Sequence, residues 1–315
     1  MGKIDVHAHY LPPAYREMLA RRGLTILDGG FPVPDWSVEA HLSAMEELDV
    51  DFSVMSVSSP HVYMGDDAEA AEVASACNDF GSECATECPK KLAFFGCLPT
   101  PDVDAAVAEA QRCAELTGCK GFCLPTNSRG TYLGDARLDP LMAKLDELGA
   151  IVLIHPTEPS AVPSGVCETV PFPMMEFFFD TCRAVVNLVV KSLPERYPNI
   201  KWIVPHAGAY LPIICDRIAP MSKMVAGGRD IDVEASLKRF YYDLAGTVVP
   251  KQLGCILDLA EKERLLYASD YPFTPLALDV RLAKLLDAAL PEDLRAPVAY
   301  GNACALLGLP EAGKR

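Results

Sequence analysis

Two histidines near the start of the chain are the residues whose types and spacing most clearly suggest chemistry. They occur as His7-Ala8-His9, directly after the short apolar run Ile4–Val6. Side chains alternate along an extended strand, so His7 and His9 point to the same side. Two adjacent imidazoles on one rigid element can supply half of the ligands of a divalent metal ion. A pair without any role, such as the remnant of a purification tag, is the alternative, but two histidines are too few for a tag.

Three further polar residues occupy positions that correspond to strand ends. His155, His206 and Asp270 each follow a short apolar run, so that four of the six histidines in the chain lie at predicted strand ends. In a parallel barrel these ends gather at one face, where catalytic groups lie. Taken singly, His155 and His206 would more often be hydrogen-bonded core residues, and Asp270 could cap a turn before Pro272. Their coincidence with strand ends favours one shared site.

Short apolar runs that would position these residues alternate with amphipathic helical stretches. Clear helical stretches are 102–116 and 140–148. The eight apolar runs are 4–6, 52–57, 92–98, 121–124, 151–154, 202–204, 240–242 and 265–268. Repeated βα units predict a parallel sheet, and eight of them predict a closed (β/α)8 TIM barrel. A doubly wound open sheet is the alternative, but the turn after the first run lacks the glycines that cradle phosphates in such folds.

Two segments are longer than the minimal repeat requires. Residues 23–36, with several glycines and prolines, predict an insertion after strand 1, and residues 156–173, with five prolines, predict a long loop after strand 5. Long loops at the strand-end face of a barrel commonly form lids or substrate walls. Because closed α/β barrels of this length form one unit, we expect a single domain over residues 1–315.

Composition and charge exclude several classes of protein. Of the 315 residues, 50% are hydrophobic and 23% are charged, which predicts a large core and argues against disorder. The formal net charge of −15 repels nucleic acid and anionic membranes, so neither is an expected partner. The twelve cysteines include no Cys-x-x-Cys pair, and no signal peptide or membrane-spanning run is evident. We therefore expect free thiols and a cytoplasmic location.

Short motifs along the chain carry a resemblance to a known family. They are Tyr132-Leu-Gly-Asp135, Asp180-Thr-Cys-Arg183, His206-Ala-Gly-Ala-Tyr-Leu-Pro212, Ser269-Asp-Tyr-Pro272 and Gly301-Asn-Ala303. Together with the order of the histidines, they resemble the amidohydrolase superfamily. Within it, the chain is similar to the amidohydrolase-related branch, which contains aminocarboxymuconate semialdehyde, γ-resorcylate and 6-methylsalicylate decarboxylases. The resemblance runs from residue 3 to about residue 309, and Ser56-Val-Ser-Ser-Pro60 is most similar to the 6-methylsalicylate decarboxylase-like subgroup.

The resemblance implies a catalytic metal centre. One divalent ion, zinc or alternatively manganese, would be held by His7, His9, His155 and Asp270. His206 would lie beside the ion as an acid/base group, and Asp270 is a second candidate for proton transfer. Three imidazoles and one carboxylate leave coordination positions open for water or substrate, which is typical of a catalytic site.

Two positions differ from what relatives have. Some relatives bridge two metal ions with a modified lysine at the end of strand 4, but here Lys120 precedes the core of that strand and its end reads Leu124-Pro125. A mononuclear site is therefore expected. The family usually has a second glycine in the segment after His206, where this chain has Ala209. The additional methyl group would crowd the backbone near His206.

An anionic substrate in an acidic protein needs local positive charge, and two arginines are candidates for it. By the resemblance, Arg217 would help to hold the substrate, and a helix-surface ion pair with Asp216 is the alternative. Arg183 would line the pocket or, equally, brace a helix through Asp180 or Glu176.

The two remaining histidines have weaker signals. His41 lies in a helical pattern and is expected to be solvated or to pack against neighbours. His61 follows the second strand, where it would either face the pocket or be an ordinary loop residue.

The resemblance implies a metal-dependent, nonoxidative decarboxylase that acts on a small hydroxylated aromatic or related cyclic carboxylic acid. The ligand set alone also permits a hydrolase, in which a metal-activated water attacks an amide, ester or lactone. A protein that binds metal without catalysis is a third alternative, against which the complete ligand set and His206 argue. Relatives are frequently dimers, so a homodimer is expected.

Overall fold

Eight parallel strands form the centre of the fold. The computed structural model describes residues 2–225 and 231–310. In spatial order, which is also chain order, the strands are β1 (Lys3–His9), β2 (Val50–Ser56), β3 (Leu92–Cys97), β4 (Cys119–Pro125), β5 (Ile151–His155), β6 (Lys201–Val204), β7 (Tyr241–Asp243) and β8 (Leu265–Leu266). Hydrogen bonds from Val6 N to Tyr267 O (3.3 Å) and from Asp270 N to His7 O (2.8 Å) connect the segment after β8 back to β1. The sheet is therefore a nearly closed (β/α)8 TIM barrel, as predicted, and the open doubly wound alternative is wrong.

Helices connect the strands and cover the barrel. Among the described residues they are α1 (Pro13–Arg21), α2 (Val38–Leu48), α3 (Asp67–Glu87), α4 (Val103–Ala114), α5 (Asp139–Glu147), α6 (Glu176–Val190), α7 (Leu193–Arg196), α8 (Leu211–Ile218), α9 (Ser222–Val225), α10 (Val233–Lys238), α11 (Lys251–Leu259), α12 (Leu276–Ala289), α13 (Glu292–Ala296) and α14 (Asn302–Leu307). The predicted stretches 102–116 and 140–148 correspond to α4 and α5. All eight predicted apolar runs overlap a strand of the barrel.

The apolar side chains form two layers, one inside the barrel and one between the strands and the helices. Ile4 and Val6 of β1 belong to the inner layer, together with Leu153 of β5, and α14 adds Leu306 and Leu307 to the same cluster. The outer layer is larger and packs strand residues against the helices. Burial on both faces explains why the strands read as nearly continuous apolar runs.

A bulge in β1 decides which side chains face the barrel interior. Asp5 pairs with Ser53 of β2, but the next pairing joins Ala8 to Met55, so β1 contains one more residue than β2 between these pairs. An extra residue reverses the alternation of side chains beyond it. The bulge lets Ile4 and Val6 fill the interior while His7 and His9 also face inwards, at the carboxyl end of the strand.

The two predicted insertions contact each other above the barrel. The segment between β1 and β2 carries α1 and α2, and the segment after β5 reaches α6 without a regular α-helix. Asp28 joins them, because its Oδ2 accepts hydrogen bonds from Thr157 Oγ1 (3.1 Å), Glu158 N (3.0 Å) and Ser59 Oγ. Burial raises the pKa of Asp28, and these three donors lower it in part.

Two further expectations concern the chain as a whole. All twelve cysteines lie among the described residues and carry free thiols, as predicted. None of the described helices is both long enough and apolar enough to cross a lipid bilayer.

The contact between β4 and β5 generates a prediction about stability. Gly121 has φ +143°, and a Cβ at this position would lie 2.2 Å from the backbone oxygen of Ile151. We expect Gly121→Ala to separate the two strands and to lower the free energy of unfolding by roughly 2–4 kcal/mol. Urea denaturation followed by circular dichroism measures the change.

Gly254 provides the matched control, because it lies in α11 and a Cβ there would meet nothing within 4 Å. Gly254→Ala should leave the free energy of unfolding unchanged or raise it by up to about 1 kcal/mol, since alanine favours helix. An unfolding midpoint for Gly121→Ala equal to that of the unmodified protein would contradict the assigned role of Gly121.

Candidate metal centre

The four predicted ligands meet at the carboxyl ends of the strands. His7 and His9 lie on β1, His155 is the last residue of β5, and Asp270 follows β8. Each of the four residues offers one possible ligand atom, and these four atoms all lie within 4.8 Å of one another. His7 and His9 are fully buried and His155 is 3% exposed, whereas the Asp270 side chain is 21% exposed. The cluster is therefore accessible from the Asp270 side.

Hydrogen bonds on the outer side of each ring fix which nitrogen faces the centre. His7 Nδ1 lies 2.8 Å from Asp243 Oδ2. The Nδ1 atoms of His9 and His155 lie 3.2 Å and 2.8 Å from backbone carbonyl oxygens. A carboxylate and a carbonyl can only accept, so Nδ1 of His7 and Nδ1 of His155 carry a proton. Nδ1 of His9 also lies 3.1 Å from the Ser56 hydroxyl, which can donate or accept. The Nε2 atoms of all three rings face the centre, an orientation that suits a metal ion.

The three Nε2 atoms point at one another and at the Asp270 carboxylate. His9 Nε2 lies 3.1 Å from His7 Nε2, 3.2 Å from His155 Nε2 and 3.0 Å from Asp270 Oδ1. Lone pairs and a carboxylate at these distances repel unless a proton or a cation lies among them. A single divalent cation would satisfy all four groups together, so the donor set fits one.

The protonation of these rings supports the same conclusion. Burial lowers the pKa of His9, and burial also holds the pKa of His155 well below its usual value. Burial opposes a charge on His7 as well, but Asp243 and Asp270 outweigh it and raise the pKa of His7 to about 9. A proton on His7 Nε2 replaces a cation only in part, because the Nε2 atoms of His9 and His155 still face each other at 3.2 Å.

Asp243 is a candidate functional residue that the sequence analysis missed. It is the last residue of β7 and is fully buried. Besides accepting from His7, it accepts from the backbone N–H of His206 (2.9 Å) through Oδ1. Burial raises the pKa of Asp243, but His7 and His206 lower it by a larger amount. The pKa therefore lies below its usual value. Its position in the sequence could have identified it, because it is a polar residue directly after the seventh apolar run, residues 240–242.

His206 lies beside the four candidate ligands, and its role as an acid/base group stays a prediction. Its Nε2 is 3.6 Å from Asp270 Oδ2, and its side chain is 13% exposed. Phe178 stacks on the ring with the centroids 5.8 Å apart. The Nδ1 atom of His206 is buried and has no hydrogen-bond partner among the described residues. The imidazole therefore has one nitrogen directed towards the Asp270 carboxylate and a fixed orientation.

Asp270 is held by the closure of the barrel. Its backbone N–H donates to His7 O, and it has φ +67°, in the left-handed region that non-glycine residues seldom adopt. Next to it, Ser269 N donates to Asp5 Oδ1 (3.2 Å), and the Ser269 hydroxyl donates to Asp5 Oδ2. These bonds fix the last segment of the barrel against β1 and aim the Asp270 carboxylate at the histidines.

Ala209, the departure from the family pattern, lies in a strained turn. It has φ +54° and ψ −119°, a conformation that glycine adopts far more readily than alanine. Gln252 Nε2 donates to the carbonyl oxygens of His206 and Ala209, which holds this turn in place. Ala209 is buried and its backbone is strained, and crowding of the His206 backbone by its methyl group stays a prediction.

The two predicted substrate-binding arginines are both exposed. Arg183, on α6, has a side chain that is 48% exposed, and its Nη1 lies 3.7 Å from Asp180 Oδ1, which agrees with the bracing alternative. Arg217, on α8, is exposed as well. Among residues 2–225 and 231–310, no hydrogen bond or ion pair joins either arginine to the four candidate ligands. Their contact with substrate stays a prediction.

Asp180 connects two of the motifs, because it begins the motif Asp180–Arg183 and binds Tyr132 of the motif Tyr132–Asp135. It is fully buried and accepts hydrogen bonds from Asn127 Nδ2 (2.9 Å), Thr126 Oγ1 and the Tyr132 hydroxyl. This cluster attaches α6 to the short hairpin of Asn127–Ser128 and Thr131–Tyr132 that follows β4. The motifs therefore stabilise the loops around the centre.

The two remaining histidines are both buried. His41 accepts a hydrogen bond from Trp36 Nε1 (3.2 Å) and contacts Ser53 Oγ (3.0 Å), so it packs between α2 and β2 and is not solvated. The ring of His61 contacts that of His155 edge-on, with the centroids 5.3 Å apart. Burial and the neighbouring His9 lower the pKa of His61 to about 3, so this ring is neutral.

The bond between Asp243 and His7 generates a prediction about metal affinity. Asp243→Asn keeps the shape of the side chain but weakens the acceptor that fixes the His7 tautomer. We expect the affinity for a divalent ion to fall by roughly 10–100-fold, as is usual when such an outer partner is lost. Competition with a chromophoric chelator measures the affinity.

Asp35→Asn provides the control, because the Asp35 side chain is fully exposed at the surface. Equal metal affinities for the two variants would contradict the role assigned to Asp243.

The strained turn generates a second prediction. Ala209→Gly should raise the free energy of unfolding by about 1 kcal/mol, because relief of backbone strain outweighs the loss of one methyl group. Ala106→Gly, at a buried position of helix α4, is the matched control and should lower it by about 1 kcal/mol. Thermal unfolding of both variants measures whether the free energy of unfolding rises or falls. A decrease for Ala209→Gly similar to that of the control would refute strain at this turn.

Comparisons with known proteins agree with this geometry. The family described as "Amidohydrolase" matches residues 4–309. The 6-methylsalicylic acid decarboxylase of Penicillium expansum is 31% identical, and the alignment covers 97% of this chain and 96% of that protein.

Solved structures show the same fold. A crystal structure described as an amidohydrolase II superimposes with a TM-score of 0.93 at 39% identity and covers 97% of this chain and 99% of that one. A dihydroxybenzoic acid decarboxylase from a Polaromonas species, solved with bound manganese, gives a TM-score of 0.81 at 22% identity and covers 99% of this chain and 98% of that one. The chain therefore belongs to the amidohydrolase family.

Proposed function

We propose that this protein is a metal-dependent, nonoxidative decarboxylase of a hydroxylated aromatic acid. The observation that carries the proposal is an accessible set of three imidazoles and one carboxylate with His206 beside it. It occurs in a chain that aligns over 97% of its length with a 6-methylsalicylic acid decarboxylase. One divalent ion, zinc or alternatively manganese, would be held by His7, His9, His155 and Asp270.

The ion would supply positive charge to the carboxylate and the adjacent phenol oxygen of the substrate. The protein's own groups do the remaining work. His206 Nε2 lies 3.6 Å from Asp270 Oδ2, so His206 can hold a proton on the accessible side of the cluster. Burial raises the pKa of Asp270, but hydrogen bonds with His206 and His9 hold it well below its usual value, so this carboxyl is ionised. Transfer of the His206 proton to the ring carbon bearing the carboxylate lets the carbon–carbon bond break, and its electron pair returns to the ring as carbon dioxide leaves.

Aromatic side chains form the walls next to these groups. Phe178 stacks on His206, and Phe273 contacts His9 edge-on with the centroids 5.3 Å apart. Apolar walls suit an aromatic ring and keep water from the reacting carbon. Arg217 and Arg183 remain proposed contacts of the substrate carboxylate.

A homodimer is part of the same proposal. Ile213 of α8 and Met224 of α9 are 64% and 85% exposed, and Met174 before α6 is 69% exposed. Large apolar side chains on the surface are typical of interfaces. Light scattering after gel filtration measures the oligomeric state.

The activity is tested by supplying salicylate-type acids and, separately, lactones and amides to metal-loaded protein. Release of carbon dioxide from a hydroxylated aromatic acid is the expected result. Turnover of lactones or amides with no carbon dioxide from any aryl acid would favour the hydrolase alternative and overturn the proposal.

His206 provides a prediction that separates catalysis from metal binding. We expect His206→Ala to lower kcat by roughly 10²–10⁴-fold, as for the loss of a general acid. The metal content should stay near that of the unmodified protein, because His206 is not one of the four ligands. Elemental analysis and steady-state kinetics on the same sample measure both quantities, and an unchanged kcat would remove the acid/base assignment.

A further inference from the structure

Two cysteines at the amino-terminal end of the barrel lie against each other. Cys113 is near the end of α4, and Cys119 is the first residue of β4. Their Sγ atoms are 3.7 Å apart. The sulfur atoms of a disulfide are about 2 Å apart, so a small movement of the two side chains would bring them to bonding distance. We call these two residues the α4–β4 thiol pair.

The backbone brings the two cysteines together through a short turn. The N–H groups of Leu116 and Cys119 donate to Cys113 O (3.0 Å) and Leu116 O (3.2 Å). Gly118 has φ +81°, and a Cβ at this position would lie 2.2 Å from the Cβ of Ala85 on α3. A residue other than glycine would be strained here and would displace the turn from α3. The approach of the two sulfur atoms is therefore built into the connection between α4 and β4.

The two sulfur atoms differ in their access to solvent. Cys113 is fully buried, and its Sγ occupies the space next to Gly96 of β3, where a Cβ would lie only 2.5 Å from it. Cys119 is partly exposed. A small oxidant dissolved in water can therefore reach Cys119, whereas Cys113 lies behind it.

The contact also favours a thiolate on the accessible residue. A hydrogen bond from the Cys113 thiol lowers the pKa of Cys119, burial raises it in part, and the net result lies below the usual value. The same hydrogen bond and burial raise the pKa of Cys113. The thiolate is the reactive form of cysteine, so Cys119 is the nucleophile of the pair and Cys113 is the neighbouring thiol.

Other cysteines lack this combination of access and a neighbouring thiol. Cys77 lies beside Cys97, but both are buried. Cys255 of α11 is partly exposed, yet among the residues that the structure describes no hydrogen bond joins its sulfur to another cysteine. Cys255 is therefore a matched reference for an accessible but isolated thiol.

We propose that the α4–β4 thiol pair is a site of reversible oxidation by hydroperoxides. The Cys119 thiolate attacks one peroxide oxygen, the O–O bond breaks, and the hydroxide that leaves takes a proton from water, so that Cys119 becomes a sulfenic acid. The Cys113 sulfur then attacks the Cys119 sulfur, and the S–O bond breaks. The hydroxyl group leaves with the Cys113 proton as water, and a disulfide remains. Two thiols are oxidised and one peroxide is reduced to two water molecules.

The role of Cys113 in this sequence is to keep the oxidation reversible. A sulfenic acid without a neighbouring thiol is oxidised further to a sulfinic acid, which thiol reductants do not restore, whereas they do reduce a disulfide. The pair lies at the end of the barrel opposite to the candidate metal ligands, since Cys119 begins its strand and His155 ends one. The oxidation is therefore independent of the proposed decarboxylase reaction.

The test treats zinc-loaded protein with hydrogen peroxide, because zinc has no redox chemistry of its own. Alkylation with iodoacetamide in urea and digestion with trypsin follow. Cleavage after Arg112 and Lys120 releases residues 113–120 as one peptide that contains both cysteines of the pair and no other. We expect mass spectrometry to find this peptide without alkylation and lighter by two hydrogen atoms, and dithiothreitol to restore both thiols. Cys255 should lose its alkylation at least about tenfold more slowly.

Three variants separate the roles of the two thiols. In Cys113→Ser, Cys119 should be oxidised to the sulfinic acid, and dithiothreitol should no longer restore it. In Cys119→Ser, the buried Cys113 should stay as fully alkylated as in untreated protein. Cys255→Ser is the matched control and should leave the oxidation of residues 113–120 unchanged.

Two results with the unmodified protein would overturn the proposal, whether or not the variants fold. One is loss of alkylation at Cys119 that is no faster than at Cys255. The other is a sulfenic or sulfinic acid that accumulates on Cys119 while Cys113 remains a free thiol.

Discussion

The close approach of three imidazole nitrogens at the end of β1 is the constraint on which the rest of the centre depends. His9 Nε2 lies within 3.2 Å of the Nε2 atoms of both His7 and His155. The arrangement is fixed from outside, because a carboxylate and two carbonyls lie against the opposite nitrogens. A fold that holds three imidazole Nε2 atoms and a carboxylate this close together is arranged for a cation, and its stability is coupled to the binding of that cation.

Backbone strain is concentrated around this point. Asp270, His206 and Ala209 have φ values of +67°, +54° and +54°. Each lies in a segment fixed by hydrogen bonds: the Asp270 N–H donates to His7 O, the His206 N–H donates to Asp243, and Gln252 donates to the Ala209 carbonyl. Part of the packing free energy of the barrel therefore offsets the strain of these residues, whose backbone conformations are unfavourable in a free chain. Asp243 has the widest influence, since its two oxygens orient one ligand and the loop of the acid/base candidate.

Much of the fold and the core of the site were predictable from the sequence. The eight apolar runs specify the strands because a strand buried on both faces needs apolar residues along its whole length. His155 and His206 were identifiable because a polar residue directly after such a run lies where the strands of a parallel barrel end. Asp243 satisfies the same rule and was missed. The contact of His61 with His155 had no comparable signal, because a loop histidine carries no periodicity that shows where its ring points.

The sequence by itself determined the order of the elements, the burial of the strands and the types of side chain available at their ends. The tertiary structure alone decided which way those side chains point. Alternation would place His7 and His9 on the face opposite to Ile4 and Val6, yet both pairs face inwards, because the register of β1 shifts by one residue between Asp5 and Ala8. Such a shift depends on pairing with β2 and on the hydrogen bonds of Asp5 with Ser269, residues 264 positions apart. Contacts over that distance leave no local pattern, and they make a histidine pair part of a candidate metal centre.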